Sequence, residues 1–187
     1  MRAIVSIALL LVIAACGGTD QKVSTDIKTE APLSKSKNSP AFDSSFSELL
    51  KKYYQLKDAL VASDEGLASA AANDIAAKSD SIDLSTVQAD STIIDMAKGY
   101  IGSISSEAKA LAALKGLDEK RKSFQIISEN MYDLIRTVSY NKEKIYHQFC
   151  PMANNDMGAY WLSASTDIKN PYFGKKMLTC GEVKDSL

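Results

Sequence analysis

Between residues 46 and 138 the apolar residues recur at spacings of three and four, the period of one buried helix face. Four such stretches follow one another. Phe46, Leu49, Leu50, Tyr53, Leu60 and Val61 form the first, and Leu67, Ala68, Ala71, Ala72 and Ile75 the second. Ile93, Ala97, Ile101, Ile104, Ala108 and Leu111 form the third, and Phe124, Ile127, Met131, Leu134 and Val138 the fourth. The spacing predicts helices over residues 43–62, 64–78, 86–114 and 118–139. Ser45 with Glu48 reads as a capping box, Ser63 or Asp64 as the cap of the second helix, and Asp118 as the cap of the fourth. Gly99 and Gly102 each cost the third helix about 1 kcal/mol relative to Ala and predict a bend there; Gly116 ends it. Helices joined by short connections pack most simply as an all-α, up-down-up-down four-helix bundle. The Ala-rich second and third helices allow close approach.

After Tyr140 the pattern changes. Residues 140–187 hold seven of the fourteen aromatics, and residues 147–180 hold two of the three Cys, the single His, the single Trp and three Met. Pro151 and Pro171 forbid a continuous helix, and Asn170-Pro171 and Phe173-Gly174 read as turns. The expectation is an irregular, aromatic-rich tail, with short extended pieces near 145–149, 159–163 and 177–183. It is too small to own a core, so it packs on the helices.

The N-terminus reads as an address. Residues 1–15, MRAIVSIALLLVIAA, join one positive charge to an apolar run too short to span a bilayer, as a signal peptide does. The exit, Ile13-Ala14-Ala15-Cys16-Gly17, resembles a bacterial lipobox, with Cys16 as the lipidated residue. Residues 16–41 are rich in Ser, Thr and Lys and read as a disordered tether, leaving 42–187 as the helical domain with its tail. The expectation is an envelope protein bound to the membrane by its lipid, on the periplasmic face of the outer membrane.

Composition removes several classes of function. With 22 Lys+Arg against 23 Asp+Glu, no basic excess exists to meet a phosphate backbone, so no nucleic-acid partner is expected. A single His, His147, makes a multi-His zinc site or a Ser-His-Asp enzyme improbable. No phosphate loop, dinucleotide fingerprint, HExxH or nucleophile elbow occurs, and a Cys150–His147 dyad lacks an evident orienting acid. The chain reads as a non-enzyme.

With Cys16 committed to lipid, Cys150 and Cys180 form an even pair in a compartment where disulfides persist. Two readings stand side by side. In one, His147, Cys150 and Met152, at i, i+3 and i+5, converge with Met177 and Cys180 on a soft ion; thiolate, thioether and imidazole suit Cu(I) or Ag(I). In the other, Cys150 and Cys180 form a disulfide that closes a loop of about 31 residues and stabilises by roughly 3–4 kcal/mol from chain entropy. Met then fills gaps. Tyr160, Trp161, Tyr172 and Phe173 form either a binding surface for a partner or a plug in the groove between helices.

Four tail segments, Tyr146-His147-Gln148-Phe149-Cys150-Pro151-Met152-Ala153, Gly158-Ala159-Tyr160-Trp161-Leu162-Ser163, Ile168-Lys169-Asn170-Pro171-Tyr172-Phe173-Gly174 and Met177-Leu178-Thr179-Cys180-Gly181-Glu182-Val183, resemble the C-terminal signature of domain of unknown function 3347. Residues 54–64 and Arg121-Lys122-Ser123-Phe124 are similar to its helices, with Lys120 standing where the family usually has Gln. The resemblance implies an envelope protein without enzymatic activity. Because the domain also occurs fused to periplasmic adaptor subunits of heavy-metal efflux pumps, it implies an accessory binding role in copper or silver handling, with an efflux adaptor or other envelope protein as partner. The alternative is a disulfide-stapled structural or interaction module of the periplasm with no metal role.

Overall fold

A computed structural model describes residues 37–187. The expected signal peptide, the lipid site at Cys16 and nearly all of the tether lie outside the described residues.

Four long helices form the body: α1 (Pro40–Ala62), α2 (Glu65–Asp80), α3 (Ser91–Ala113) and α4 (Leu117–Thr137). α1 begins inside the segment expected to be tether. Ser39, in extended backbone, accepts the Phe42 N–H on its hydroxyl at 3.1 Å, and Pro40 takes the first helical position, where no amide donor is needed. This cap precedes Ser45 and makes it an interior residue. Asp64 caps α2 as expected, accepting the Leu67 N–H at 2.9 Å. α3 starts later than its apolar pattern suggests. A 3-10 turn at Leu84–Thr86 intervenes, and Asp90 becomes the cap by accepting the Ile93 N–H at 3.0 Å. α3 runs through Gly99 and Gly102 unbroken. Gly116 occupies the N-cap of α4, so Asp118 sits in the first turn, where its charge opposes the positive helix end, rather than at the cap.

Most expected face residues are buried: Phe46, Leu49, Leu50, Tyr53 and Leu60 from α1, Ala68, Ala72 and Ile75 from α2, Ile104, Ala108 and Leu111 from α3, and Phe124, Ile127, Met131 and Leu134 from α4. Val61 and Ile93 are half-buried, and Leu67, in the first turn of α2, is 60 % exposed and leaves the buried face. Each helix packs on the next, whereas α4 and α1 touch only briefly, chiefly through the Tyr53 and Phe124 rings, stacked at 5.3 Å. One buried residue breaks the apolar rule. Lys120 is 0 % exposed, and its ammonium donates to Leu111 O, Leu114 O and Ser69 Oγ at 2.7–2.8 Å. Its three N–H groups meet three acceptors, two of them carbonyls at the C-terminal end of α3.

The tail is not irregular. It folds into an antiparallel sheet of three strands, β1 (Tyr146–Cys150), β2 (Ala159–Ser163) and β3 (Glu182–Ser186), in the order β2-β1-β3. Alternating aromatic residues favour the strand. The β1–β2 connection turns on Asn154, Asn155 and Asp156, three successive left-handed residues, followed by Gly158 at φ 81°. Asn and Asp tolerate this conformation better than other side chains. β2 meets the helices near the α1–α4 groove, where the Leu162 N–H donates to Tyr53 Oη at 3.0 Å and Tyr53 Oη pairs with Ser128 Oγ at 2.8 Å. Trp161 is fully buried, and Tyr172 packs on Phe124 with ring centroids 5.9 Å apart.

Candidate thiol and soft-metal site

In a strand, residues an odd number apart face opposite sides. His147 and Cys150 are three apart on β1, so the sheet separates them. One face carries His147 and Phe149, with Leu162 and Tyr160 opposite them on β2; the other carries Gln148 and Cys150, with Trp161 and Ala159 opposite. The five residues expected to converge on an ion therefore divide, and His147 leaves the set.

His147 is clamped between two rings: Tyr132 of α4 at 4.0 Å and Tyr160 at 4.5 Å, both stacked. Burial, with help from the nearby Arg136, pushes its pKa down to about 4 against the pull of Asp185, so the imidazole is neutral at ordinary pH. Tyr132 Oη bonds to the Asp185 carboxylate at 3.3 Å and accepts from Arg136 at 3.2 Å, which ties α4 to β3 around the imidazole.

The other four residues come together. Cys150 ends β1 at 0 % exposure, and Cys180 lies half-buried just before β3. The β1–β3 register, Phe149 opposite Glu182, brings Cys150 beside the Cys180 loop, and both thiols are unbridged. Met152 and Met177 hold Cys180 through their backbones: the Met152 N–H donates to the Cys180 sulfur, and Met177 O accepts the Cys180 N–H at 3.1 Å. Met152 and Met177 themselves line a groove of about 500 Å³ that they share with Arg121, Lys122, Lys176, Tyr172 and Phe173, and to which neither cysteine contributes. Burial and the adjoining Cys150 thiol push the Cys180 thiol up to about 11, against the Met152 N–H. A cation arriving here has to displace the Cys180 proton. Among the described residues no group of three or more His, Cys, Asp or Glu is placed to hold a metal, so an ion here would rest on sulfur.

Asn170 builds the loop that brings Cys180 to Cys150, and its sequence gives no sign of this beyond a turn before Pro171. It is 0 % exposed. Its Oδ1 accepts the N–H groups of Tyr172 (2.8 Å) and Phe173 (3.2 Å), and its Nδ2 donates to Cys180 O at 2.8 Å. Arg121 pins the same loop to the body, donating to Pro171 O at 2.9 Å, Ser63 Oγ at 3.0 Å and Leu60 O at 3.3 Å. Of the four tail aromatics, Trp161 and Tyr172 are buried and Tyr160 and Phe173 half-buried. Trp161 and Tyr172 pack edge to face at 6.0 Å, while Tyr160 lies on the opposite sheet face against His147 and Phe149, so the four do not form a continuous exposed surface.

Among the described residues no helix is long and apolar enough to cross a membrane. No curated protein and no solved structure matches the chain. The model of a family described as "Protein of unknown function (DUF3347)" matches residues 49–143, from within α1 to just before β1. That span covers just over half of the sequence and all but the start of the helical body, so the chain belongs to the DUF3347 family.

Proposed function

We propose that this protein is a non-enzymatic envelope lipoprotein that binds a soft monovalent cation, Cu(I) or Ag(I), as an accessory to heavy-metal handling. In this reading an up-down-up-down four-helix bundle is the stand and the sheet carries the site. The Cys150 and Cys180 sulfurs are the primary ligands, and Met152 and Met177 supply thioethers from the adjoining groove. The proximity of Cys150 and Cys180 across the β1–β3 register, with Met152 and Met177 close in sequence to them, supports the reading, because thiolate and thioether donors select monovalent copper and silver over hard cations. The role in efflux is supported by the family resemblance, and the anchoring at Cys16 on the periplasmic face by the lipobox-like exit.

Anaerobic titration of reduced protein with Cu(I), against a chromophoric chelator, tests this. About one Cu(I) per chain is expected; Cys150→Ser and Cys180→Ser should each lose it, and His147→Gln should keep it. A Cys180→Ser protein with unchanged far-UV circular dichroism and undiminished affinity would refute the ligand assignment. Fractionation of a Cys16→Ser protein tests the anchor: it should leave the membrane fraction.

The same proximity favours a second reading, a Cys150–Cys180 staple that fixes the sheet as an interaction module. Thiol counting on protein taken directly from the envelope separates the two: two free thiols in the tail support the metal reading, and none supports the staple.

A further inference from the structure

The two thiols of the pair differ in access. Cys150 is 0 % exposed beneath its strand neighbours, while Cys180 sits in the loop and is half-exposed. We infer that Cys180 is the entry thiol of a redox-active pair and Cys150 its resolving thiol, so that an external disulfide exchanges first at Cys180 and the pair then closes on itself.

The inference rests on the thiol pairing described above and adds direction and regulation to it. In the first step Cys180 gives its proton to solvent and attacks one sulfur of a small disulfide such as oxidised glutathione. The external S–S bond breaks, a Cys180 mixed disulfide forms and one glutathione leaves as thiol. In the second step Cys150 loses its proton and attacks the Cys180 sulfur, expelling the second glutathione. The external disulfide is reduced to two thiols, and the pair is oxidised to one bridge. The nearness of Cys150 to Cys180 across the β1–β3 register makes the second step the faster one, because it is intramolecular. The bridge takes up both sulfurs, so oxidation and ion binding exclude each other at this site.

The test uses the full reduced chain with oxidised glutathione, quenched in acid at intervals and peptide-mapped, so that Cys16 is read separately from the pair. Wild-type protein should end as the Cys150–Cys180 bridge, with any adduct confined to Cys180. Cys150→Ser should hold a stable glutathione on Cys180. Cys180→Ser should leave Cys150 unmodified while folded and modified once denatured. An adduct on Cys150 in native wild-type protein, reaction at neither cysteine, or folded Cys180→Ser reacting as fast as Cys150→Ser would overturn the assignment. If a variant does not fold, substoichiometric alkylation of the reduced native wild-type protein decides: first label on Cys180 supports the assignment, and first label on Cys150 overturns it. Ordered exchange without Cu(I) binding would refute the metal reading and leave this one standing; Cu(I) binding with reversed order would do the opposite.

Discussion

A Cβ added at Gly99, midway along α3, would have nothing within 4 Å; the same atom at Gly158, at the entry to β2, would run into the Phe149 ring. The two glycines stand for the two regions that hold them. The helical body is specified by a period: any apolar residue of fitting size on the right face contributes, and exposed positions are free. The sheet region is specified by point contacts. Asn170 satisfies three backbone groups, Tyr53 reaches a strand amide, Arg121 bonds three oxygens, and three left-handed residues set the β1–β2 turn. Both thiols belong to the second region, so the candidate chemistry depends on the part of the molecule with less tolerance for change.

The largest expected effect is at Gly158. Gly158→Ala combines a side chain at φ 81° with overlap on Phe149 and should cost about 3 kcal/mol. Trp161 is the only Trp and lies in the sheet region, so its fluorescence reports that region while far-UV circular dichroism reports the helices. In urea, the Trp161 transition of the variant should fall well below the helical one. Coincident transitions would mean that the body and the sheet melt as one unit, and the contrast between them would fail.

The same contrast explains what the sequence reveals. The four helices are legible because each apolar step of three or four residues is local, and most face residues named from spacing are buried, Leu67 at 60 % exposure being the clear exception. Their ends are less so: Ser39 with Pro40, not Ser45, starts α1, and both serines satisfy the local capping rule. The role of Lys120 is invisible locally, because its acceptors are Leu111 O, Leu114 O and Ser69 Oγ. In the tail, the composition marks the place of the site but not its geometry. A spacing of three brings His147 and Cys150 together on a helix or a turn and sets them apart on a strand, so the strand assignment decides the ligand set. Asn170 reads as a turn residue because its partner Cys180 is ten residues away.

A smaller effect is expected at His147, the buried imidazole of the sheet region. The folded imidazole titrates near 4, against about 6.5 when unfolded. Between these values the unfolded chain binds the extra proton, so stability is full above about pH 6.5 and falls as pH drops towards 4. The loss should be about 2–3 kcal/mol, allowing for partial solvent screening. His147→Gln gives up the ring stack and should be less stable at pH 7, but its stability should fall less steeply across this window. Parallel curves for the two proteins between pH 6.5 and 4 would show that the clamp of Tyr132 and Tyr160 does not hold the imidazole neutral.

The smallest expected effect has the opposite sign and belongs to the body. Gly99 is exposed within α3, its backbone is helical, and open space surrounds its missing side chain. Ala at this position adopts the native conformation without strain and removes conformational freedom from the unfolded chain. Gly99→Ala should therefore stabilise by about 0.5–1 kcal/mol, seen as a higher urea midpoint in far-UV circular dichroism. The Trp161 signal of the native state should not change, because nothing in the sheet region touches this side of α3. A destabilised Gly99→Ala protein would mean that this face of α3 is covered by something outside residues 37–187, and the body would then share the sheet region's dependence on close contact.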